Sequence, residues 1–258
     1  MSPALIHPPG FDGAWLKRYR PVTAPRLRLF CLPYAGGTAG AFHGWAHALP
    51  ADVELIAVQY PGRQDRLEEP CVAEMDPLAD RITEALAPLL DRPFALFGHS
   101  MGAAVAYEVA LRLETRHRAR PRHLFVSGHP SPLRPRSHTD VHLRDEDAML
   151  EWFGELGAMD PAVLADPELR PLVVPSLRAD LRLIETYRPA AGRPVNAPMT
   201  SYVGDADPGV PPDDAAAWKE LTSGEFSFRV FPGGHFYLSD QETEVLADLT
   251  ERLGGAPV

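Results

Sequence analysis

Phe94-Ala95-Leu96-Phe97-Gly98-His99-Ser100-Met101-Gly102 decides the reading of this chain. Phe94–Phe97 is a short apolar run between Pro93 and Gly98, as expected of a buried strand. Met101–Arg116 then carries apolar residues at helical spacing. Gly98, Ser100 and Gly102 form a G-x-S-x-G pattern at the junction. A serine on so sharp a strand-to-helix turn sits in strained backbone geometry, and glycines two residues either side let strand and helix approach without a clash. Its hydroxyl would stand above the carboxyl edge of a sheet, where ligands bind in open α/β folds.

Outward from this turn, strands and helices alternate. Arg26–Leu32, Val53–Gln59, His123–Ser127, Met199–Val203 and Phe226–Phe231 read as further strands, bounded by Pro, Gly or polar turns. Ala41–Leu49, Pro77–Leu90, Asp213–Leu221 and Gln241–Leu253 read as helices. The alternation predicts β-α-β units and a mostly parallel, doubly wound sheet, with residues 1–258 as one α/β domain. Residues 1–25 are Pro-rich without periodicity and read as an extended arm. From Pro130 to Pro198 no strand pattern occurs, but Asp145–Leu156 and Pro167–Tyr187 read as helices. This insertion is a lid or a small second domain. The apolar face of Met149, Leu150, Trp152, Phe153 and Leu156 either packs on the core or covers a pocket, the second being the expectation.

Composition narrows the class. The 258 residues are 45% hydrophobic, ordinary for a globular protein, and carry a net charge of −10. That charge disfavours nucleic acid, whose phosphates require a basic face. Two cysteines, Cys31 and Cys71, without metal-ligand spacing, predict free thiols in a reducing compartment and no zinc site. No signal-peptide pattern and no run of 18 apolar residues is present, so a cytoplasmic protein without a membrane span is expected.

A serine hydroxyl needs a base to attack anything. Of the 10 histidines, His235 has the right placement, on the Gly-rich loop Pro232-Gly233-Gly234 just after the last strand. His99 lies inside the turn and should point away from Ser100, whereas His129 precedes the acid candidates. Two aspartates compete as the orienting acid after Met199–Val203. Asp207, a few positions past the strand, can reach across to His235; Asp205 is better suited to bonding turn amides. Ser100…Asp207…His235 is the chain order of α/β-hydrolases. An oxyanion needs fixed donors: the Met101 amide, after the nucleophile, and the Ala35 amide in Pro33-Tyr34-Ala35-Gly36-Gly37.

The set CLPYAGG (31–37), VQYPGRQDR (58–66), LFGHSMGA (96–103), PSLRAD (175–180), YVGDADPGV (202–210) and FPGGHFYL (231–238) resembles the type II thioesterases. These are the stand-alone editing enzymes of polyketide and nonribosomal peptide synthesis. The resemblance runs from Leu29 to the C-terminal helix. It implies an α/β-hydrolase fold with Ser100 as nucleophile, His235 as base, Asp207 as orienting acid, and Ala35 and Met101 as oxyanion donors. It implies a helical lid over the acyl site, here 130–198. It implies a substrate acyl group on the phosphopantetheine of an acyl or peptidyl carrier protein, with no metal or organic cofactor. A general esterase or lipase, an acyltransferase and a non-enzymatic binding protein are the rival readings.

The chain starts with Met, reads as one domain and shows no carrier-like segment, so a free-standing enzyme is expected; a monomer is the separate expectation for its assembly. Carrier proteins are usually acidic, as this chain is, so docking calls for a local basic patch. Arg134 and Arg136, at the start of the insertion, are the favoured pair, ahead of Arg178 and Arg182. Arg63 and Arg66 are expected to pair internally with Asp65, Glu68 or Glu69.

Overall fold

A computed structural model describes residues 10–134, 140–157, 166–189 and 193–254. In chain order its elements are β1 (Leu16–Lys17), β2 (Leu27–Leu32), α1 (His43–Ala48), β3 (Val53–Val58), α2 (Met75–Leu86), β4 (Phe94–His99), α3 (Met101–Arg116) and β5 (Leu124–Ser127). Then follow α4 (Glu146–Glu155), α5 (Arg170–Thr186), β6 (Met199–Gly204), α6 (Pro212–Ala216), β7 (Phe226–Phe231), α7 (Tyr237–Asp240) and α8 (Glu242–Arg252). The strands form one sheet in the order β1-β3-β2-β4-β5-β6-β7. All neighbours from β3 to β7 are parallel.

Period-2 alternation within the buried strands feeds two cores. Phe30, Leu32, Ile56 and Val58 face the side covered by α2 and α3. Leu29, Cys31, Leu55 and Ala57 face the opposite side, with Trp45 of α1 and Leu249 of α8. Each fully buried Leu or Phe of this kind contributes about 1.5–3 kcal/mol. Both cysteines are free, Cys31 buried and Cys71 half-buried.

The chain runs from β2 to β3 on one side, then crosses back so that β4 lies on the other side of β2. Where connections leave in opposite directions, the strand ends open a crevice. Here that crevice lies beyond Leu32 and Gly98, which are paired neighbours in the sheet.

The arm is a correction. Leu16–Lys17 pairs antiparallel with Val58 and Ala57 and makes β1, the sheet's edge. A two-residue strand has no alternation to read. Around it, Arg18 Nε donates to Glu54 Oε1 at 2.9 Å, and Arg28 Nε to Glu54 Oε2 at 3.2 Å. Glu54 is wholly buried, so the arm supplies one of two guanidinium groups that neutralise it.

Within the insertion, α4 and α5 match the two helical patterns. Met149, Leu150 and Phe153 are buried in the core shared with α3, and Trp152 packs against it half-buried. This face therefore packs on the core. Asp145 caps α4 by accepting from the Ala148 amide at 2.9 Å. Arg136 lies outside the described residues. Among the described residues, no helix is long and apolar enough to cross a membrane.

Candidate active site

β4 runs two residues further than Phe97, through Gly98 and His99 into the turn. Ser100 then adopts φ 54° and ψ −122°, a left-handed conformation costly for any residue with a side chain. The turn is held from both sides: the Ser100 amide donates to the Ser127 carbonyl at 2.7 Å, and the Ala103 amide to the Ser100 carbonyl at 2.9 Å. A Cβ on Gly102 would lie 2.2 Å from the Leu32 carbonyl oxygen, so glycine is required where α3 crosses the end of β2.

The loops after β6 and β7 meet equally closely. The Ala206 amide donates to the Gly233 carbonyl at 2.9 Å, and the Gly233 amide to Asp205 Oδ1 at 2.9 Å. Asp205 thus bonds a backbone amide and braces the two loops. Asp207, its side chain wholly buried, reaches His235: Oδ2 lies 2.7 Å from Nδ1. Its Oδ1 accepts from the Gly209 amide at 2.9 Å. His235 Nε2 lies 3.0 Å from Ser100 Oγ. With Nδ1 donating to the carboxylate, Nε2 is left to accept the serine proton. The structure thus brings Ser100, His235 and Asp207 into one hydrogen-bonded chain.

Ala35 follows the end of β2 and Met101 the end of β4, two strands paired at Leu32 and Gly98. The Ala35 and Met101 amides find no acceptor among the described residues. Met101 opens α3, where the first-turn amides are left over and the helix dipole adds positive potential. Both amides are thus available to a developing negative charge.

His99 bonds Ser127 and stands outside the Asp207–His235–Ser100 chain. It is fully buried, with Nδ1 2.9 Å from Ser127 Oγ, and that hydroxyl lies 2.6 Å from the Tyr237 hydroxyl. Its ring centroid lies 5.2 Å from that of His235. Burial, with the His235 ring adding to it and the His235 backbone opposing, holds the His99 pKa well below the ordinary imidazole value. A neutral ring beside His235 adds no positive charge to oppose an imidazolium there.

The arginines divide. Arg134 is half-exposed and pairs with Glu220 at 2.7 Å, so it is already engaged within the chain. Arg178 donates to the His142 and Arg144 carbonyls at 2.6 and 2.8 Å and ties the insertion to itself. Arg66 pairs with Glu69 as expected, at 2.6 Å. Arg63 corrects its expectation: it binds Asp180, 117 residues away and on α5, rather than Asp65, Glu68 or Glu69. No cluster of three His, Cys, Asp or Glu side chains is placed to hold a metal ion among the described residues.

A parallel sheet with a strained serine turn at its switch point, faced by a histidine and an aspartate from the last two strand loops, defines an α/β-hydrolase. The model of the Thioesterase domain family matches residues 27–253. Thioesterase PikA5 of Streptomyces venezuelae is 41% identical over 250 residues, spanning 95% of this chain and 89% of its own. Gramicidin S biosynthesis protein GrsT of Aneurinibacillus migulanus is 35% identical, spanning 93% of each chain. The solved type II thioesterase BorB, from the borrelidin biosynthetic cluster, superposes with a TM-score of 0.88 at 39% identity, over 94% of this chain and 98% of its own. The chain belongs to the thioesterase family, and it is a hydrolase of thioesters.

Proposed function

We propose that this enzyme releases acyl groups from the phosphopantetheine arm of an acyl or peptidyl carrier protein, clearing stalled or misloaded chains in polyketide or nonribosomal peptide synthesis. The hydrogen-bonded chain Asp207–His235–Ser100 carries the chemistry of this reading. Similarity to PikA5 and BorB supports the substrate class.

Ser100 Oγ gives its proton to His235 Nε2 as it attacks the thioester carbonyl. Asp207 holds the ring and stabilises the imidazolium. The carbonyl oxygen, now negative, takes the Ala35 and Met101 amides as donors; removing one such donor costs ~10²–10³ in rate in a well-studied protease. Collapse breaks the C–S bond, and the imidazolium protonates the leaving thiol. Water then gives a proton to His235 and attacks the acyl-serine. The acid departs, and Ser100 regains its proton. No metal or organic cofactor enters these steps. The free thiols of Cys31 and Cys71 fit a reducing compartment such as the cytoplasm.

The test presents a panel of acyl-loaded carrier proteins and measures acid release, beside matched oxygen esters and candidate amine or alcohol acceptors. Thioester hydrolysis should dominate. Faster cleavage of the oxygen esters would make the protein a general esterase, and transfer to an added acceptor would make it an acyltransferase. For docking, Arg134→Glu with Arg136→Glu should raise KM for carrier-bound acyl groups and leave small acyl-thiols nearly unaffected. No change on either substrate would move the docking surface elsewhere.

A further inference from the structure

Three of the sequence segments noted above meet at one buried point behind the oxyanion loop. Asp180, from PSLRAD on α5, is 2% exposed. Its Oδ2 accepts from the Gly36 amide at 2.8 Å and from Arg63 Nη1 at 2.6 Å, and its Oδ1 accepts from Arg63 Nη2 at 2.9 Å. Arg63, from VQYPGRQDR after β3, is itself buried and also donates from Nη1 to the Gly37 carbonyl at 3.0 Å. Tyr60, lying under the Arg63 guanidinium, donates its hydroxyl to the Pro33 carbonyl at 3.1 Å. The loop Pro33–Gly37 is therefore gripped at Pro33, Gly36 and Gly37 by side chains from two other elements.

Gly36 has φ +72°, so few residues could replace it, and the insertion closes over it. A Cβ there would lie 3.2 Å from Leu177 Cδ1 of α5 and 3.4 Å from Phe153 Cζ of α4. The Gly36 amide is spent on Asp180, whereas the neighbouring Ala35 amide has no acceptor among the described residues and stays available to an oxyanion. The plane of the Ala35–Gly36 peptide, and with it the local course of the loop, is set by a carboxylate that arrives on the insertion.

A buried ion pair is a poor device for stability. Desolvating both charges costs about as much as their attraction returns, and apolar replacements of like volume are often as stable. Such a pair is better suited to fixing one arrangement among several. We propose that Asp180 is a positioning residue that, through Arg63 and Gly36, sets the Ala35 amide in oxyanion geometry, so that seating of helix α5 and completion of the oxyanion hole are one event. This rests on the reading of Ala35 as an oxyanion donor. The insertion is then part of the catalytic apparatus: when α5 lifts, the hole loses its shape and Ser100 loses its reactivity.

Two variants and two readouts test this. Asp180→Asn keeps an acceptor for the Gly36 amide but loses the charge that grips Arg63. It should fold, lower kcat on a small acyl-thioester at least tenfold, and leave KM within about threefold, as expected when only transition-state contacts are lost. Arg63→Met with Asp180→Leu removes the pair together and should recover most of the wild-type thermal midpoint. Its rate of Ser100 phosphonylation by a small fluorophosphonate, whose P=O occupies the oxyanion hole, should still be at least tenfold below wild type. If that rate returns to wild type along with the midpoint, or if kcat of Asp180→Asn is unchanged, the pair is structural only and the proposal fails. Phosphonylation needs no thioester, so a wild-type enzyme that ignored thioesters would overturn the proposed substrate and leave this test intact.

Discussion

Gly98 and Gly102 face each other across the nucleophile turn so closely that a Cβ on Gly98 would lie 2.0 Å from the Gly102 carbonyl oxygen. Backbone on both sides leaves nothing soft to move. Gly98→Ala should therefore cost more than the ~1–3 kcal/mol of ordinary overpacking. The expected result is a large drop in thermal midpoint or loss of soluble protein. A stable, fully active Gly98→Ala protein would mean the turn is not as tight as described.

Ser100→Ala should keep the fold and lose about 10⁶ in kcat if this triad behaves as a unit, as in a well-studied protease. Turnover of an acyl-thioester, with circular dichroism to confirm folding, checks this. Near-normal hydrolysis by the folded variant would remove Ser100 as nucleophile.

The two aspartates of the β6 loop should separate cleanly. Asp207→Asn replaces the acceptor of His235 Nδ1 with a group able to present N–H, which favours the wrong tautomer; ~10⁴ in kcat is expected. Asp205→Asn disturbs only the bond to the Gly233 amide and should cost far less activity. A reversed ranking would hand the orienting role to Asp205.

Acid should weaken the fold through His123. Burial, with Arg252 adding and Asp248 opposing, pushes its pKa down to about 4 from 6.5. Across that window the unfolded chain binds a proton that the folded chain refuses. Stability therefore rises with pH through the window and is complete above 6.5. It falls on acidification by up to about 1.4 kcal/mol per pH unit for this group. His99 acts in the same direction. In urea titrations between pH 6.5 and 4.5, His123→Gln should show a shallower loss than the wild type; equal slopes would exclude His123 as a source.

Legibility followed the range over which each signal acts. Phe226–Phe231 matches the expected strand at both ends, and the other long strands match within two residues, because apolar runs and turn residues are local. Expected from Pro77, α2 starts at Met75, since a proline in the first turn forfeits no intrahelical bond. Asp213–Leu221 splits into α6 and a 3₁₀ segment, Ala217–Leu221, which periodicity alone does not distinguish. Ser100, His235 and Asp207 were legible because each sits beside glycines that mark a strand-end loop. The partner of Arg63 was not: nearby acids were the only candidates a linear reading could rank, and Asp180 reaches it only through the packing of α5.

The short pairing of Leu16–Lys17 against β3 has a consequence for handling the protein. Trimming the chain back to the start of the family match at residue 27 would strip the outer side of β3 and remove Arg18 from Glu54. An uncovered strand edge is a template for another molecule's strand, and a buried carboxylate short of a partner loosens the surrounding sheet. A shortened protein would thus be prone to self-association through β3, so a fusion or tag belongs ahead of the arm, with residues from Gly10 onward kept intact.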